Sequence, residues 1–416
     1  MKRILILFIL FIALPIKAQQ NITLEECYQL LAKNYPLVKQ HGILIEQNRL
    51  DTEIIGNSKL PQINVNAQAT YQSDVIQIPI PNAGIEPLNK DQYRATISVN
   101  QLIYNGNASK ASLQMKSAQL NTKQQQINVS LYQLKQEINQ LYFSILLNQE
   151  ATLLIKSKQR LLQTKIKEVK SGIAQGMILP SSDKILEAEY LKTNQQFIEL
   201  ESTKNTLIET LSSLIGKPLG ATTLFQIPLI QIDLQKRIKR PELDLFQFKK
   251  DEISSSEALL SKENAPKIFG FATGGYGNPG LNMLDNSFQT FYTVGLSLKW
   301  NVFDWNTNKK QRESLAINKE LIENETEVFT LNTRIALNKQ QKEIEKIESF
   351  IQSDKEIIKL RLEVLNSSNS QLNNGVITSS AYILELTNLY EDENTLIKHN
   401  MLLELAKANY NIIKGN

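Results

Sequence analysis

The chain has 416 residues, of which 42% are hydrophobic and 21% are charged, and its formal net charge is +4. Three positive charges belong to the amino-terminal leader (Lys2, Arg3 and Lys17), so the remainder carries +1 and offers no electrostatic footprint for nucleic acid. Cys27 is the only cysteine and cannot form an internal disulfide. No Cys/His set has metal-ligand spacing, and the sequence therefore predicts no metal and no other cofactor.

Residues 1–18 have the pattern of a secretory signal peptide. Lys2 and Arg3 precede the apolar stretch Ile4 to Ile16, which is shorter than the ~20 residues that a spanning helix needs. Ala18 then offers a small residue for cleavage before Gln19. The alternative is an uncleaved anchor. No later apolar run reaches ~18 residues, so the sequence predicts no transmembrane helix in the mature chain, and a membrane-embedded form would have to be a closed barrel.

Residues 19–240 are predicted as a first repeat. Between Ile63 and Tyr71, apolar and polar residues alternate strictly, as in a strand with one apolar face. Further along, residues 107–171 contain no glycine or proline, which predicts a helix of about 100 Å if it is continuous, at about 1.5 Å per residue. The predicted elements are helices at about 22–59 (interrupted by Pro36 and Gly42), 107–171 and 181–215, and strands at about 61–80 and 91–104.

Residues 241–416 are predicted as a second repeat of the same kind. The alternation recurs from Tyr292 to Val302, and a weaker, glycine-rich strand precedes it. The predicted elements are helices at about 241–264, 306–374 and 376–414, and strands at about 266–277 and 289–303. Both long helices carry apolar residues every seven positions, for example Ile127 and Leu134 or Ile344 and Ile351, which indicates coiled-coil-like packing.

The two halves correspond at a constant offset of 199 positions. Tyr93 corresponds to Tyr292 and Gly176 to Gly375, and Leu214-Ile215-Gly216 corresponds to Ile413-Lys414-Gly415. Self-similarity at one fixed spacing is typical of repeated architecture. We therefore expect an internally duplicated α+β chain in which each half pairs two strands with long helical hairpins.

Four strands cannot close a barrel alone, and an open sheet edge in lipid would leave backbone groups without hydrogen bonds. The smallest membrane barrels have about eight strands. If these strands cross a bilayer, copies of the chain must combine, and the polar faces would then line a water-filled lumen.

Several segments carry a family resemblance. Leu60-Pro61 and Ala265-Pro266 open the first and third strands. The further segments are Ser98 to Gly106, Gly295 to Asp304, Gly176 to Asp183, Leu211 to Gly216 and Ala406 to Gly415. In this order and duplication, the chain resembles the TolC-type outer-membrane efflux family over nearly all of its mature length. Two turns depart from the family's Asp-Gly-Gly pattern, reading Asn105-Gly106-Asn107 and Asp304-Trp305-Asn306.

The resemblance implies an α+β membrane protein that forms a homotrimer. Each protomer would contribute four strands to a twelve-stranded transmembrane β-barrel in outer-membrane lipid, and its helical hairpins would form a periplasmic α-barrel. The implied function is the passive exit duct of a tripartite efflux or type I secretion system in a Gram-negative bacterium. The implied partners are a periplasmic adaptor (membrane fusion) protein and an inner-membrane RND pump or ABC transporter.

Two alternatives remain at this point. A periplasmic coiled-coil adaptor or scaffold without a pore would share the helices but not the paired amphipathic strands. An enzyme is disfavoured, because no Ser/His/Asp or Cys/His constellation and no phosphate-binding glycine loop is present. Gly274-Gly275-Tyr276-Gly277 lacks the following helix that such a loop requires.

The helix-hairpin turns are predicted as the periplasmic tip that contacts the adaptor. The residues at these turns are Gly172, Gly176, Ser181, Ser182, Asp183, Asn374, Gly375, Ser379 and Ser380. The simpler interpretation is that the glycines supply a positive φ for the turn. Asp183 has two simpler interpretations, as a solvated helix residue or as a helix cap.

Two further sets of residues are predicted from the resemblance and from the strand pattern. Some family members carry two aspartates after the second turn that constrict the entrance. Tyr382 takes the first of these places and Glu385 the second, so at most one acidic ring is expected here. Four aromatic residues are predicted to lie at the membrane interfaces: Tyr93, Tyr292, Trp300 and Trp305.

Overall fold

A computed structural model describes residues 21–76, 86–232 and 237–415. The predicted signal sequence lies outside the described residues, and so does the end of the first predicted strand, at 77–80.

Long helices make up the greater part of the described chain. They are α1 (Leu24–Asn34), α2 (Lys39–Asn57), α3 (Ala108–Ala174), α4 (Ser182–Ile215), α5 (Pro241–Leu260), α6 (Thr307–Asn373) and α7 (Ser379–Lys414). Thr23 begins α1 with a capping box, in which its hydroxyl accepts from the Glu26 backbone and the Glu26 carboxylate accepts from the Thr23 N–H. Pro36 separates α1 from α2 through a short 3-10 turn, whereas Gly42 lies within α2 without interrupting it.

The helices α3 and α6 are both 67 residues long. They begin at residues 108 and 307, which are 199 positions apart. Their carboxyl-terminal ends differ slightly from the predicted ends at about 171 and 374: α3 runs past Gly172 to Ala174, and α6 ends at Asn373. Gly172 therefore belongs to the helix and not to the turn.

The strands form two sheets. They are β1 (Asn21–Ile22), β2 (Gln62–Tyr71), β3 (Asp91–Tyr104), β4 (Leu224–Phe225), β5 (Lys267–Asn278) and β6 (Gln289–Lys299). The first and fourth pair in parallel, and the others form an antiparallel sheet in the order β2-β3-β5-β6. β6 stops at Lys299, before the predicted end at about 303. Sequence reasoning missed β1 and β4, which are two residues long and too short to establish an alternating pattern.

The register of the antiparallel sheet places the alternating apolar residues on one common face. Val65 lies opposite Ile97, Ile97 opposite Gly274, and Gly274 opposite Tyr292. Residues directly opposite each other in a sheet project to the same side. The apolar face therefore carries Ile63, Val65, Tyr71, Tyr93, Ile97, Val99, Ala272, Tyr292, Val294, Leu296 and Leu298.

The opposite face is not entirely polar, contrary to the expectation from the first two strands. Phe269, Phe271 and Phe291 lie on it, among residues such as Asn64 and Thr96. The glycines of β5 and β6 interrupt the alternation of apolar and polar residues by which β2 and β3 are recognised in the sequence. They also make room for rings: a Cβ at Gly275 would lie 2.4 Å from the ring of Phe291, and one at Gly295 would lie 2.7 Å from the ring of Phe271.

The described residues fall into two compact units, each of which draws on both predicted repeats. The first comprises the residues up to Gln40, Ile127–Glu242 and those from Val328 on. The second comprises His41–Gln126 and Leu243–Glu327, and it contains the antiparallel sheet.

The first unit has a core around Tyr142. Its fully buried phenol oxygen lies 3.0 Å from the carbonyl of Ile22 and 2.7 Å from that of Gln226, beside the small β1-β4 sheet. Cys27 and Phe225 are buried in the same cluster. None of the described helices has both the length and the apolar character needed to cross a membrane.

Candidate functional site

The two helix-hairpin turns in the first unit end their outgoing helices in the same way. Gly176 and Gly375 have φ values of +74° and +68°. The N–H of Met177 donates to the carbonyl of Gly172 at 2.9 Å, and that of Val376 donates to Gln371 at 2.8 Å. These are Schellman-type ends, in which a left-handed glycine lets the chain reverse while the last carbonyls keep partners.

The turns also touch each other. A Cβ added to Gly375 would lie 2.8 Å from the carbonyl oxygen of Met177, whereas one added to Gly176 would meet nothing within 4 Å. Gly375 is therefore required by a close approach as well as by its φ, and Gly176 by its φ alone.

The structure divides the predicted tip residues into exposed and buried ones. Those exposed are Gly176, Ser181, Asn374, Gly375 and Ser380, and Asp183 is partly exposed. Those buried are Gly172, Ser182 and Ser379, which have little surface exposed at the tip. Thr378 caps α7, because its hydroxyl accepts from the Ala381 N–H at 3.3 Å.

Sequence reasoning missed the exposed apolar residues of the tip. Met177, Leu179 and Val376 lie in or beside the turns with more than half of their surface exposed. The available signal was the run of apolar residues at each turn, where polar residues are usual. Beside them is an open groove of about 580 Å³, here named the tip groove. It is lined by Leu179, Pro180, Ser181, Ser182, Lys184, Ile185, Ala188, Thr378, Ser379 and Ser380.

Asp183 lies in the first turn of α4 and not at its cap, which is Ser181. Its carboxylate lies 3.4 Å from Lys184 Nζ. Lys184 also pairs with Glu187 at 2.9 Å, and Lys170 pairs with the same glutamate at 2.8 Å. The two lysine partners, Lys170 first, lower the pKa of Glu187 to about 2. Acids and bases thus alternate on this side of the tip, and Asp183 carries no unpaired charge.

Tyr382, the first predicted constriction residue, is packed inside the hairpin core. It is 2% exposed, and burial raises the pKa of its phenol to about 12. Around it lie Leu162, Leu186 and Leu386. In this conformation Tyr382 has little surface with which to line an entrance.

Glu385, the second predicted constriction residue, is held beside a base. Its Oε2 lies 3.6 Å from an Arg361 guanidinium nitrogen, and the same guanidinium donates to Asp392 at 3.0 Å. Arg361 therefore joins α6 to two acids of α7 and neutralises part of the charge that an acidic ring would need.

The exposed apolar face of the sheet is the second candidate region. Val65, Tyr292 and Leu296 are 72%, 80% and 73% exposed. Contiguous apolar patches of this kind mark contact with protein or membrane. On β3 the opposite, polar face is less exposed, since Arg94, Thr96 and Ser98 are half-buried while Tyr93, Ala95 and Ile97 are exposed.

The predicted interfacial aromatic residues lie toward both ends of the sheet. Tyr93 and Tyr292 lie toward the end where the strands join through loops, and Tyr93 stacks on Phe288 with ring centroids 6.3 Å apart. Trp300 and Trp305 follow the other end of β6, and Trp305 is 79% exposed and packs edge to face against Phe303. Among the described residues, no group of three or more His, Cys, Asp or Glu side chains is arranged to hold a metal ion.

The chain is similar in structure to outer-membrane channels. The match to the outer membrane protein VceC from Vibrio cholerae covers 94% of this chain and 96% of VceC, with a TM-score of 0.66 and 11% identity. The match to the Campylobacter jejuni CmeC outer membrane channel covers 94% of this chain and 85% of CmeC, with a TM-score of 0.62 and 14% identity. The match to the open state of the Neisseria gonorrhoeae MtrE outer membrane channel covers 94% of this chain and 89% of MtrE, with a TM-score of 0.63 and 14% identity.

No protein-family model matches the sequence, and no curated protein matches it. The fold is that of TolC-type outer-membrane channels, which confirms at the level of fold the resemblance found in the sequence.

Proposed function

We propose that this protein is the outer-membrane exit duct of an export system. Substrates would pass through it passively from the periplasm, or from an inner-membrane transporter, to the outside. Three copies would assemble into one pore, with a twelve-stranded barrel in the outer membrane and a periplasmic tunnel built from the duplicated helical hairpins.

The observation that carries this proposal is the antiparallel sheet, which is apolar on an exposed face and open at both edges. β2 and β6 each have a neighbour on one side only among the described strands. Exposed edges of this length favour pairing with another chain, and in lipid every backbone group needs a partner. Closure with copies of the same chain satisfies the edges and turns the apolar faces toward lipid.

Barrel closure also supports an assembly of three copies. Bacterial membrane barrels have an even number of strands and about eight at least. Two copies would supply the minimum and leave a lumen filled by side chains, as in barrels of about eight strands. Three copies leave a wider lumen, which an export duct needs, and agree with the family resemblance.

The location of the tyrosines and tryptophans supports a membrane assignment. Membrane barrels have an apolar band about 25 Å tall with aromatic girdles on both sides. Tyr93 and Tyr292 would belong to one girdle, and Trp300 and Trp305 to the other. With the predicted secretory signal, this supports a barrel in the outer membrane of a Gram-negative bacterium and helices in the periplasm.

The hairpin tips are the proposed contact for a periplasmic adaptor. Exposed Met177, Leu179 and Val376 beside the tip groove provide apolar surface, and Ser181 and Ser380 provide hydroxyls at its rim. The sequence has no phosphate-binding glycine loop, so the energy for transport would come from a partner, either an RND pump or an ABC transporter. The chain itself would catalyse no reaction.

Fractionation and electrical recording test the proposal. The full-length protein, expressed with its signal in a Gram-negative host, should appear in the outer-membrane fraction and purify in detergent as a trimer by light scattering. The trimer should conduct ions across planar bilayers. A scaffold without a pore would instead be soluble without detergent and leave the bilayer non-conducting, and that result would exclude the duct.

A further inference from the structure

The face of the sheet opposite the apolar face carries positive charge and no acid within the described strands. The charged residues of β2, β3, β5 and β6 are Asp91, Arg94, Lys267 and Lys299. Asp91 lies opposite Tyr71 and so belongs to the apolar face, at the first position of its strand. The three basic residues share the other face with Thr96 and Ser98.

Two of these bases face each other directly. Lys267 is the register partner of Lys299 in the β5-β6 ladder. Like charges in directly opposite positions destabilise a pair of strands. In the part of the chain that the structure describes, no acid forms an ion pair with either lysine. The fold therefore tolerates an unfavourable arrangement at the end of the sheet that leads to the helices.

Arg94 lies toward the other end of the sheet and is held in place. Its guanidinium stacks over the ring of Phe291 at 5.6 Å from the centroid. One of its nitrogens donates to the carbonyl of Gly280 at 3.5 Å. Phe291 in turn crosses Gly275, where any Cβ would collide with the ring. Phe291, one of three phenylalanines on this face, thus supports the arginine.

We propose that the barrel section of the pore favours anions over cations, and that Arg94, Lys267 and Lys299 determine this preference. The proposal rests on the proposed channel function. Each copy would contribute a guanidinium near one mouth of the barrel and two ammonium groups near the other. Rings of Arg and Lys select for anions in pores, and low-dielectric walls focus their field. Anionic substrates would therefore be the favoured cargo class for this section.

The acids at the loop end of the sheet belong to the connecting loops and not to the strands. They are Asp74, Glu86 and Asp285, and Asp285 accepts a hydrogen bond from Gln289. They would lie at the rim, where salt screens their charges over about 10 Å at 0.1 M. Because these acids are the same in wild type and in every variant, a difference in ion preference between them reports the basic residues of the strands.

The test uses the detergent-purified protein in planar bilayers under a KCl gradient, with the reversal potential as the readout. Wild type should show a chloride preference that weakens as salt rises, because the screening length falls to about 3 Å at 1 M. The neutral triple variant R94Q/K267Q/K299Q should shift the reversal potential toward that of potassium. The charge-preserving variant R94K/K267R/K299R should keep the wild-type value.

Two results would overturn the proposal: a potassium preference in wild type, or an unchanged reversal potential in the neutral variant. If the triple variant assembles poorly, Lys299→Gln alone gives the same comparison, because this exposed residue ends an edge strand. Absence of any conductance in the wild-type trimer would instead contradict the channel function itself, so the two failures are distinguishable.

Discussion

The Lys165 ammonium lies 5.5 Å from the centroid of the Tyr382 ring, and both side chains are buried within the hairpin core. The same ammonium donates to Glu168, to Asn369 at 2.5 Å and to Asn373 at 3.3 Å. A single buried cation thus joins the outgoing helix α3 to α6 and to the first turns of α7. The tip is held by this contact as well as by its leucines.

Replacing Lys165 with alanine should loosen the tip. A hydrogen bond to a charged group contributes about 1.5–3 kcal/mol, and the variant would also leave the asparagine amides without their partner. Hydrogen exchange of the 160–190 and 365–390 segments should become faster, and the turns more sensitive to protease. Lys167→Ala is the matched control, because Lys167 is exposed on the same helix. Equal effects of both changes would contradict the role given to Lys165.

The two turn glycines should differ in their tolerance of alanine. Both substitutions incur the left-handed backbone cost of roughly 1–2 kcal/mol. Only Gly375→Ala also forces its Cβ against the Met177 carbonyl, so it should destabilise the tip more than Gly176→Ala. Hydrogen exchange at the two turns measures the difference. If Gly176→Ala proved at least as damaging, the contact between the turns would not be the reason.

Two adjacent residues of β6 should differ in their tolerance of arginine. Val294 lies on the exposed apolar face and Thr293 on the other. In a membrane barrel, Val294→Arg would place a charge in lipid at a cost of about 2–4 kcal/mol near the midplane. The yield of trimer in the outer membrane should fall for Val294→Arg and hold for Thr293→Arg, where water would reach the side chain. The reverse order would mean that the apolar face does not meet lipid.

Cys27 should be chemically silent in the folded protein. It is 0% exposed, and burial first, then Glu26, raises the pKa of its thiol from 9.0 to about 12. Iodoacetamide at pH 8 should label it only after denaturation, as mass spectrometry can determine, whereas an introduced Ser380→Cys at the exposed tip should label at once. Labelling of native Cys27 at a comparable rate would mean that this core opens readily.

The same shift has a pH consequence. A thiol whose folded pKa lies above its unfolded value stabilises the fold fully below pH 9 and loses that contribution as the pH rises toward about 12. Burial also raises the pKa of Tyr142 in the same cluster. Loss of helical circular dichroism at a given temperature should therefore increase through this alkaline window.

The sequence was sufficient where a pattern repeats over many residues. The alternation of Ile63 to Tyr71 and the seven-residue spacing of Ile344, Ile351, Ile358 and Leu365 indicate which face is buried or apolar, because period and secondary structure are linked. Gly172 differs from the expectation that it lies in the turn, since α3 continues through it to Ala174. A Cβ at Gly172 would lie 2.6 Å from Ile178, so this glycine permits a close approach and does not form the turn.

Contacts between distant residues could not be predicted. Tyr382 is buried against residues such as Leu162 and Lys165, more than 200 positions earlier, and Glu385 pairs with Arg361 of the preceding helix. The position of both residues after the second turn predicts an entrance, but it carries no information on the side chains that pack against them. Similarly, the positive face of the sheet became visible only when the register brought Lys267 opposite Lys299.

The pairing of Arg361 with Glu385 and Asp392 makes a prediction about cation block of the pore. If three copies meet at the entrance, Glu385 can bind cations only to the extent that Arg361 leaves its charge free. Glu385→Gln should therefore weaken block by a divalent or trivalent cation added on the periplasmic side. Arg361→Gln should strengthen it, since two acids would lose their base. Single-channel current in bilayers measures both, and Lys359→Gln, on the same helix, serves as the control for loss of a positive charge. Opposite signs for the two variants are required; a common sign would mean that neither residue faces the path of the ions.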